Sequence, residues 1–386
     1  MNVLFIYEKA INPLTGGAER ITFLLASYLE SEGCKVSFMG VANEQAINDE
    51  RQVFLPDPTS PVSDINISFY LNYLDKNKIN VVINKSAMNR DISRLSSHCS
   101  NIGVKLISVI HNTILGSIKN FSSVKKEKYR RINLGFILPV TDLKFVKKLM
   151  LYAYKFKYSR HYTALCKYSD FVVLESDKFK DELAFMVKKK SLKSVVAIPN
   201  FFIFDESPEK PKQKEVLYVG RINTSQKRVD LLLQVWKLVQ NKFLDWELKL
   251  VGGGDELDYI KNLSAELNLE NITFHGYQDA RPFYESASII CLTSSYEGFG
   301  IALIEAMSRG VVPVAFNSYL SVTDIIDDKK SGFLVTPFDV KEYADVLSAL
   351  MDSQRLLQRS SVEAKKQSTK FDLSIIGKQW LAIIGH

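Results

Sequence analysis

The sequence predicts an α/β protein built from two doubly wound domains. Three observations predict it. The chain has 386 residues, more than the roughly 250–300 at which a single hydrophobic core stops growing. Short apolar runs, each followed by a helical pattern, recur along its whole length. Those runs are continuously apolar, not alternating, as in parallel strands covered by helices on both faces. A hydrophobic content of 46% and a charged content of 24% leave ample material for two cores.

In the first half the predicted strands are VLFIY (3–7), VVI (81–83), KLISVIHN (105–112) and FVVLES (171–176). In the second half they are VLYVG (216–220), LKLVGGG (248–254), ITFHGY (272–277), IICLTSS (289–295), VVPVAF (311–316) and GFLV (332–335). Between the halves, NFFIFDESPEKPKQKE (200–215) carries Pro208, Pro211 and a run of charge, a composition that suits a linker. The domains are therefore expected at 1–200 and 201–370, with the second domain's first strand near 214. Ligands of such sheets bind beyond the carboxyl ends of the strands, so a cleft between the domains is the expected site. The last segment, 371–386, reads as a helix docking back on the first domain. Asp372 is its expected N-cap, Phe371 staples to Ile376, and Ile376, Trp380 and Ile384 form one apolar stripe.

The opening MNVLFIYEKA reads as a strand, not a signal peptide. No apolar run reaches the roughly 18 residues of a membrane span. Cys34, Cys99, Cys166 and Cys291 are far apart and form no CxxC or Cys/His pattern, as expected of free thiols in a reducing cytoplasm. The net charge of +7 is uneven. Residues 119–168 hold thirteen Lys/Arg and two acids, and the rest of the chain holds 37 basic and 41 acidic residues. This segment interleaves its lysines with aromatics, as in LKFVKKLMLYAYKFKYSRHY. Two readings fit it: a peripheral contact with an anionic membrane surface, or helices whose aromatics pack inside and whose charges are solvated. No nucleic-acid-binding motif accompanies the charge.

Four stretches carry candidate chemistry. In SSYEGFGIALIEAMSRG (294–310) a strand ends, a loop follows and a helix begins near Ile301. Gly298 and Gly300 let backbone N–H groups approach a ligand, and the helix start adds unpaired N–H groups and a positive dipole end. Together they make an anion cradle. Glu297 lies on the loop and Glu305 deeper in the helix. Carboxylates beside an anion site need other partners, and sugar and ribose hydroxyls are suited to them. In VGRINTSQKRVDLLLQVW (219–236), Arg221 and Lys227 can converge on a phosphate pair, or can simply be solvated surface charge. In LTGGAERITFLLASYL (14–29), Gly16 and Gly17 stand between a strand and a helix, again a phosphate-compatible loop but not GxGxxG. In SVIHN (108–112), His111 follows a strand's carboxyl end.

Taken together these stretches resemble the retaining family-4 glycosyltransferases. The resemblance covers nearly the whole chain and is strongest over 216–335, where Glu297-x7-Glu305 combines with Gly-Arg and Lys227. It implies the GT-B fold. It also implies that Arg221 and Lys227 hold a donor pyrophosphate, and that Glu305 accepts from the ribose hydroxyls. Glu297 and the backbone of Gly298, Phe299 and Gly300 would take the donor sugar and distal phosphate. Gly16 and Gly17 would admit the phosphates, His111 would lie near the donor sugar, and Tyr277 would lie near the nucleobase. Arg228 departs from the pattern, since such enzymes often have glycine after the lysine.

The function expected from the resemblance is retaining transfer of a hexose from a nucleotide sugar, with UDP as the commonest nucleotide. The acceptor would be a glycan or lipid-linked saccharide in polysaccharide biosynthesis. The chain has no Asp-x-Asp pair, so no cofactor and no metal are expected. The expected location is the cytoplasm, with 119–168 at the inner face of the plasma membrane. Two other readings share the fold: a nucleotide-sugar epimerase, which needs no acceptor, and a non-catalytic membrane-associated scaffold.

Overall fold

The structure is a computed structural model that describes residues 1–13, 16–43, 49–187, 192–203 and 210–385. Leu14, Thr15 and the part of the expected linker at 204–209 lie outside the described residues. The chain forms two compact units. One contains Met1–Asn112, Tyr154–Ile203 and Phe371–His386, and the other contains Thr113–Ala153 and Phe204–Lys370.

The first unit is built on a seven-stranded parallel sheet of β1 (Asn2–Ile6), β2 (Lys35–Gly40), β3 (Gln52–Phe54), β4 (Val81–Asn84), β5 (Lys105–Ile110), β6 (Phe171–Leu174) and β7 (Val195–Ala197). The strand order is β3-β2-β1-β4-β5-β6-β7. The second unit holds a six-stranded parallel sheet of β8 (Glu215–Val219), β9 (Glu247–Val251), β10 (Ile272–Gly276), β11 (Ile289–Leu292), β12 (Val312–Phe316) and β13 (Phe333–Val335). Its order is β10-β9-β8-β11-β12-β13. Both sheets run outward from their first strand in one direction and then reverse. The reversal falls between β1 and β4 in one sheet and between β8 and β11 in the other. Such reversal points are where loops part and open α/β sheets bind ligands.

All six runs expected in the second half are strands, and all four expected in the first half are strands. β2, β3 and β7 are additional. β3 and β7 have three residues each, and β2 begins on an exposed lysine, so none offered a sustained apolar run. The four cysteines are free and buried.

The helix Leu373–Ile384 belongs to the first unit. Asp372 caps it by accepting from Ser374 N at 2.8 Å. The helix lies against Gly17–Ser31, where Gly377 sits beneath Tyr28: a Cβ on Gly377 would be 2.4 Å from the ring. Lys105 Nζ donates to the carbonyls of Ile383 and Ile384 at the other end, satisfying acceptors that a helix terminus leaves open.

The segment expected to complete the first domain, 113–153, clusters instead with the second unit. Polar contacts explain this. Asn120 Nδ2 donates to the carbonyls of Ser295 (2.5 Å) and Ser318 (2.9 Å). From the helix Phe121–Arg131, Glu127 accepts from Tyr259 Oη at 2.9 Å and Arg131 pairs with Glu256 at 2.8 Å. Thus part of the basic charge is engaged within the second unit. The apolar side chains that follow are not packed inside: Phe136 is 75% exposed, and Val140, Phe145 and Leu149 are exposed as well. None of the described helices is long and apolar enough to cross a membrane.

Candidate functional site

In the second unit the loop after β11 is fixed through its own backbone. Ser318 Oγ donates to the Ser294 carbonyl at 2.6 Å, Asn120 holds that of Ser295, and Ser321 Oγ donates to that of Gly298 at 2.7 Å. Gly300 is the N-cap of helix Ile301–Ser308 at φ +102°, a conformation costly for a residue with a Cβ. The Phe299 side chain is buried, so Phe299 offers a ligand only its backbone.

Glu297, at 6% exposure, is tied on several sides. Its Oε1 accepts from Lys227 Nζ at 2.6 Å and from Ser294 Oγ at 2.5 Å, and its Oε2 accepts from Gln226 Nε2 at 3.4 Å. The conflict posed by a carboxylate at an anion cradle is thereby resolved: Lys227 neutralises it locally. An ammonium carries three N–H donors, so one bond to Glu297 does not exhaust it.

Arg221 is exposed beyond β8. Tyr218 Oη anchors its carbonyl at 2.7 Å, and its Cγ lies 3.3 Å from where a Cβ on Gly254 would stand. The neighbouring Gly252, at φ +142°, would put a Cβ 1.9 Å from the Gly220 carbonyl oxygen. Only glycine lets the ends of β8 and β9 approach so closely. Tyr277, 65% exposed, follows β10, and its Cβ lies 3.8 Å from where a Cβ on Gly253 would stand. Glu305, inside helix Ile301–Ser308, accepts from Tyr284 Oη at 3.1 Å.

Arg228 sits in the left-handed region at φ +50°, the conformation a glycine would adopt without strain. It is nearly wholly buried at 1% exposure. Its Nε and Nη2 meet Asp230 at 3.0 and 2.8 Å, and its Nη1 donates to Ser123. Side-chain bonding thus holds the turn that glycine would make by freedom alone.

In the first unit a polar residue stands beyond each of four adjacent strands: Lys85 after β4, His111 after β5, Glu175 after β6 and Asn200 past β7. His111 Nδ1 is 2.9 Å from Glu175 Oε1, and Asn200 Nδ2 donates to the same oxygen at 2.8 Å. Burial, with Lys85's charge added, holds the imidazole well below its usual range, so it is neutral near pH 7. Lys85, 3% exposed, is pushed down to about 7 by burial, which Glu175 opposes. Gly16 lies against Glu19, whose Oε2 would be 2.5 Å from a Cβ there, and Gly17 opens helix Gly17–Ser31 on an exposed edge.

The lowered Lys85 value has a stability consequence. Lysine in the unfolded chain titrates near 10.5, so between about pH 7 and 10.5 the unfolded state binds more protons than the native one. Stability from this group therefore rises with pH across that window. Denaturant melts at pH 7 and pH 9 are expected to show the wild type gaining stability relative to Lys85→Met as the pH rises. No relative change would contradict it.

Residues 200–367 match the family of glycosyl transferases group 1. The chain is 27% identical over 379 residues to an uncharacterized glycosyltransferase of Haemophilus influenzae, with 96% of each chain covered. It is 28% identical over 220 residues to the GalNAc-alpha-(1->4)-GalNAc-alpha-(1->3)-diNAcBac-PP-undecaprenol alpha-1,4-N-acetyl-D-galactosaminyltransferase of Campylobacter jejuni, covering 56% of this chain and 59% of the relative. In fold it is similar to Anabaena HepE, solved with UDP and glucose, at a TM-score of 0.72 and 16% identity over 100% of this chain and 99% of the other.

Within the second unit, the structure brings Lys227, Glu297 and the Gly298–Gly300 loop together. It sets Arg221 and Tyr277 along the glycine run 252–254, and Glu305 one turn into the helix. Gly16, Gly17 and His111 belong to the first unit. Sequence reasoning missed Gln226, Ser294 and Gly252, and it missed Lys85, Glu175 and Asn200 around His111. The signals were faint: three consecutive glycines closing a strand, and single polar residues closing apolar ones.

Proposed function

We propose that this protein is a glycosyltransferase that moves a hexose, with retention of anomeric configuration, from a UDP-sugar to a glycan or lipid-linked saccharide in polysaccharide biosynthesis. The observation that carries the reading is the Lys227–Glu297 pair beside the Gly298–Gly300 backbone, at the sheet's reversal point. It joins a cation for phosphate to a carboxylate for sugar hydroxyls. Arg221 and Lys227 neutralise the leaving diphosphate without a divalent ion, and Glu305 takes the ribose hydroxyls. Tyr277 lies at the nucleobase, Gly16 and Gly17 admit the phosphates, and His111 contacts the sugar. The bond from C1 to the phosphate oxygen breaks while a bond from C1 to the acceptor oxygen forms on the same face. The acceptor's proton passes to the departing phosphate. Glu297 holds the sugar and stabilises the positive charge that develops at C1.

HepE's structure with UDP and glucose supports the choice of donor. The Campylobacter jejuni relative, named for a saccharide on PP-undecaprenol, supports a lipid-linked acceptor. The exposed Phe136, Phe145 and Leu149 among lysines support a peripheral cytoplasmic membrane contact through 119–168. A thermal-shift and hydrolysis panel of UDP-, GDP- and ADP-sugars, with and without EDTA, tests the donor. A UDP-sugar is expected to raise the Tm equally with and without EDTA. No shift with any nucleotide sugar, or one abolished by EDTA, would overturn the reading.

A further inference from the structure

We propose that Glu175 is the positioning residue of His111. It fixes the imidazole as the Nδ1–H tautomer and leaves Nε2 as a bare acceptor turned to the hydroxyl of a bound sugar. The second half of this statement rests on the placement of His111 at the donor sugar; the first half does not.

The geometry assigns the proton. A carboxylate oxygen only accepts, and Glu175 Oε1 lies 2.9 Å from Nδ1, so Nδ1 must donate. The same oxygen is pinned by Asn200 at 2.8 Å, which prevents the carboxylate from rotating away. A neutral ring protonated at Nδ1 has a lone pair at Nε2. That atom is buried and has no partner among the described residues. A buried polar atom left unsatisfied costs about 1–3 kcal/mol, and a ligand hydroxyl would recover that cost on binding.

Burial, with Lys85's charge added, keeps the ring neutral. Lys85 approaches from beyond β4, Glu175 from β6 and Asn200 from beyond β7. Trp380, from the C-terminal helix, covers Lys85 with its ring centroid 5.5 Å from Nζ. Lys85's charge opposes a second positive charge on His111, and Glu175 favours the charged form of Lys85. A neutral acceptor suits a substrate whose anomeric carbon becomes positive, because an imidazolium there would repel it.

Two measurements test this. Nitrogen-15 NMR of the wild type is expected to show His111 with a protonated Nδ1 and an unprotonated Nε2, and the reverse tautomer overturns the proposal. In kinetics, Glu175→Ala is expected to lower kcat with the nucleotide sugar about tenfold, with KM less changed, and to populate the other tautomer. In a His111→Ala background the same substitution is expected to add nothing. An equal loss in both backgrounds makes Glu175 merely structural and overturns the proposal. If His111→Ala turns over like the wild type, the sugar contact is overturned, while the NMR result still reads Glu175's hold on the ring. The wild-type spectrum needs no variant, so poor folding of a mutant does not shield the idea.

Discussion

Glu297→Gln is expected to lower kcat by about 100- to 1,000-fold, the range seen when a preorganised electrostatic contact to a transition state is removed. The amide keeps the shape of the side chain and one accepting oxygen, so Ser294 and Gln226 can still bond near it. What it loses is charge. In the native site Lys227 and Glu297 form a nearly buried pair at 2.6 Å, with side-chain exposures of 19% and 8%. With glutamine there, the ammonium faces a donor diphosphate without its internal counter-ion. Ground-state binding of the nucleotide sugar is therefore expected to hold or tighten while turnover falls. The check is a steady-state measurement with the donor found above, read as kcat and KM separately. Equal loss in kcat and in donor affinity would show that Glu297 only shapes the cradle. Full activity would remove it from the chemistry.

The second large effect concerns folding. Arg228→Leu is expected to destabilise the second unit by about 3–5 kcal/mol, the usual cost of stripping one partner from a buried ion pair. The substitution relieves no strain, since leucine meets the same penalty at φ +50°. It strands the Asp230 carboxylate, which accepts three bonds from Arg228 and is 1% exposed. It also cuts the bond to Ser123 that ties the helix Phe121–Arg131 to the start of the helix Val229–Val239. For a unit of this size the loss corresponds to a fall in Tm of roughly 10 °C. The double variant Arg228→Leu/Asp230→Leu is expected to recover most of it, because removing both charges leaves no uncompensated group. Calorimetry of the three proteins decides the matter. A fall for the double variant as large as for the single one would assign the cost to the lost contact with Ser123, not to charge.

Arg228 also shows where sequence reading stops. From the residues alone it stood as a departure at a position where glycine is common, with no means of telling how the turn would form. The compensating partners are Asp230, two residues on, and Ser123, 105 residues earlier. The first is local and the second is not. The same holds for Glu297. Its loop, its glycines and the following helix were legible because each is a local pattern with a local cause. Its pairing with Lys227, seventy residues away, was not.

The sequence by itself determined the class of the fold and its division into parallel strands and covering helices. Burial on both faces requires continuously apolar strands, and that requirement is written residue by residue. It also determined the loop chemistry of 294–310 and the capping of the last helix by Asp372, since turns and caps depend on neighbours in the chain. Only the tertiary structure decided which unit takes 113–153. That choice rests on hydrogen bonds that Asn120 and Arg131 donate and Glu127 accepts, with carbonyls and side chains more than a hundred residues distant. Only the tertiary structure set Glu175 and Asn200 around His111. Strand order in the sheet brings β5, β6 and β7 side by side, and the distance along the chain between their ends carries no trace of that adjacency.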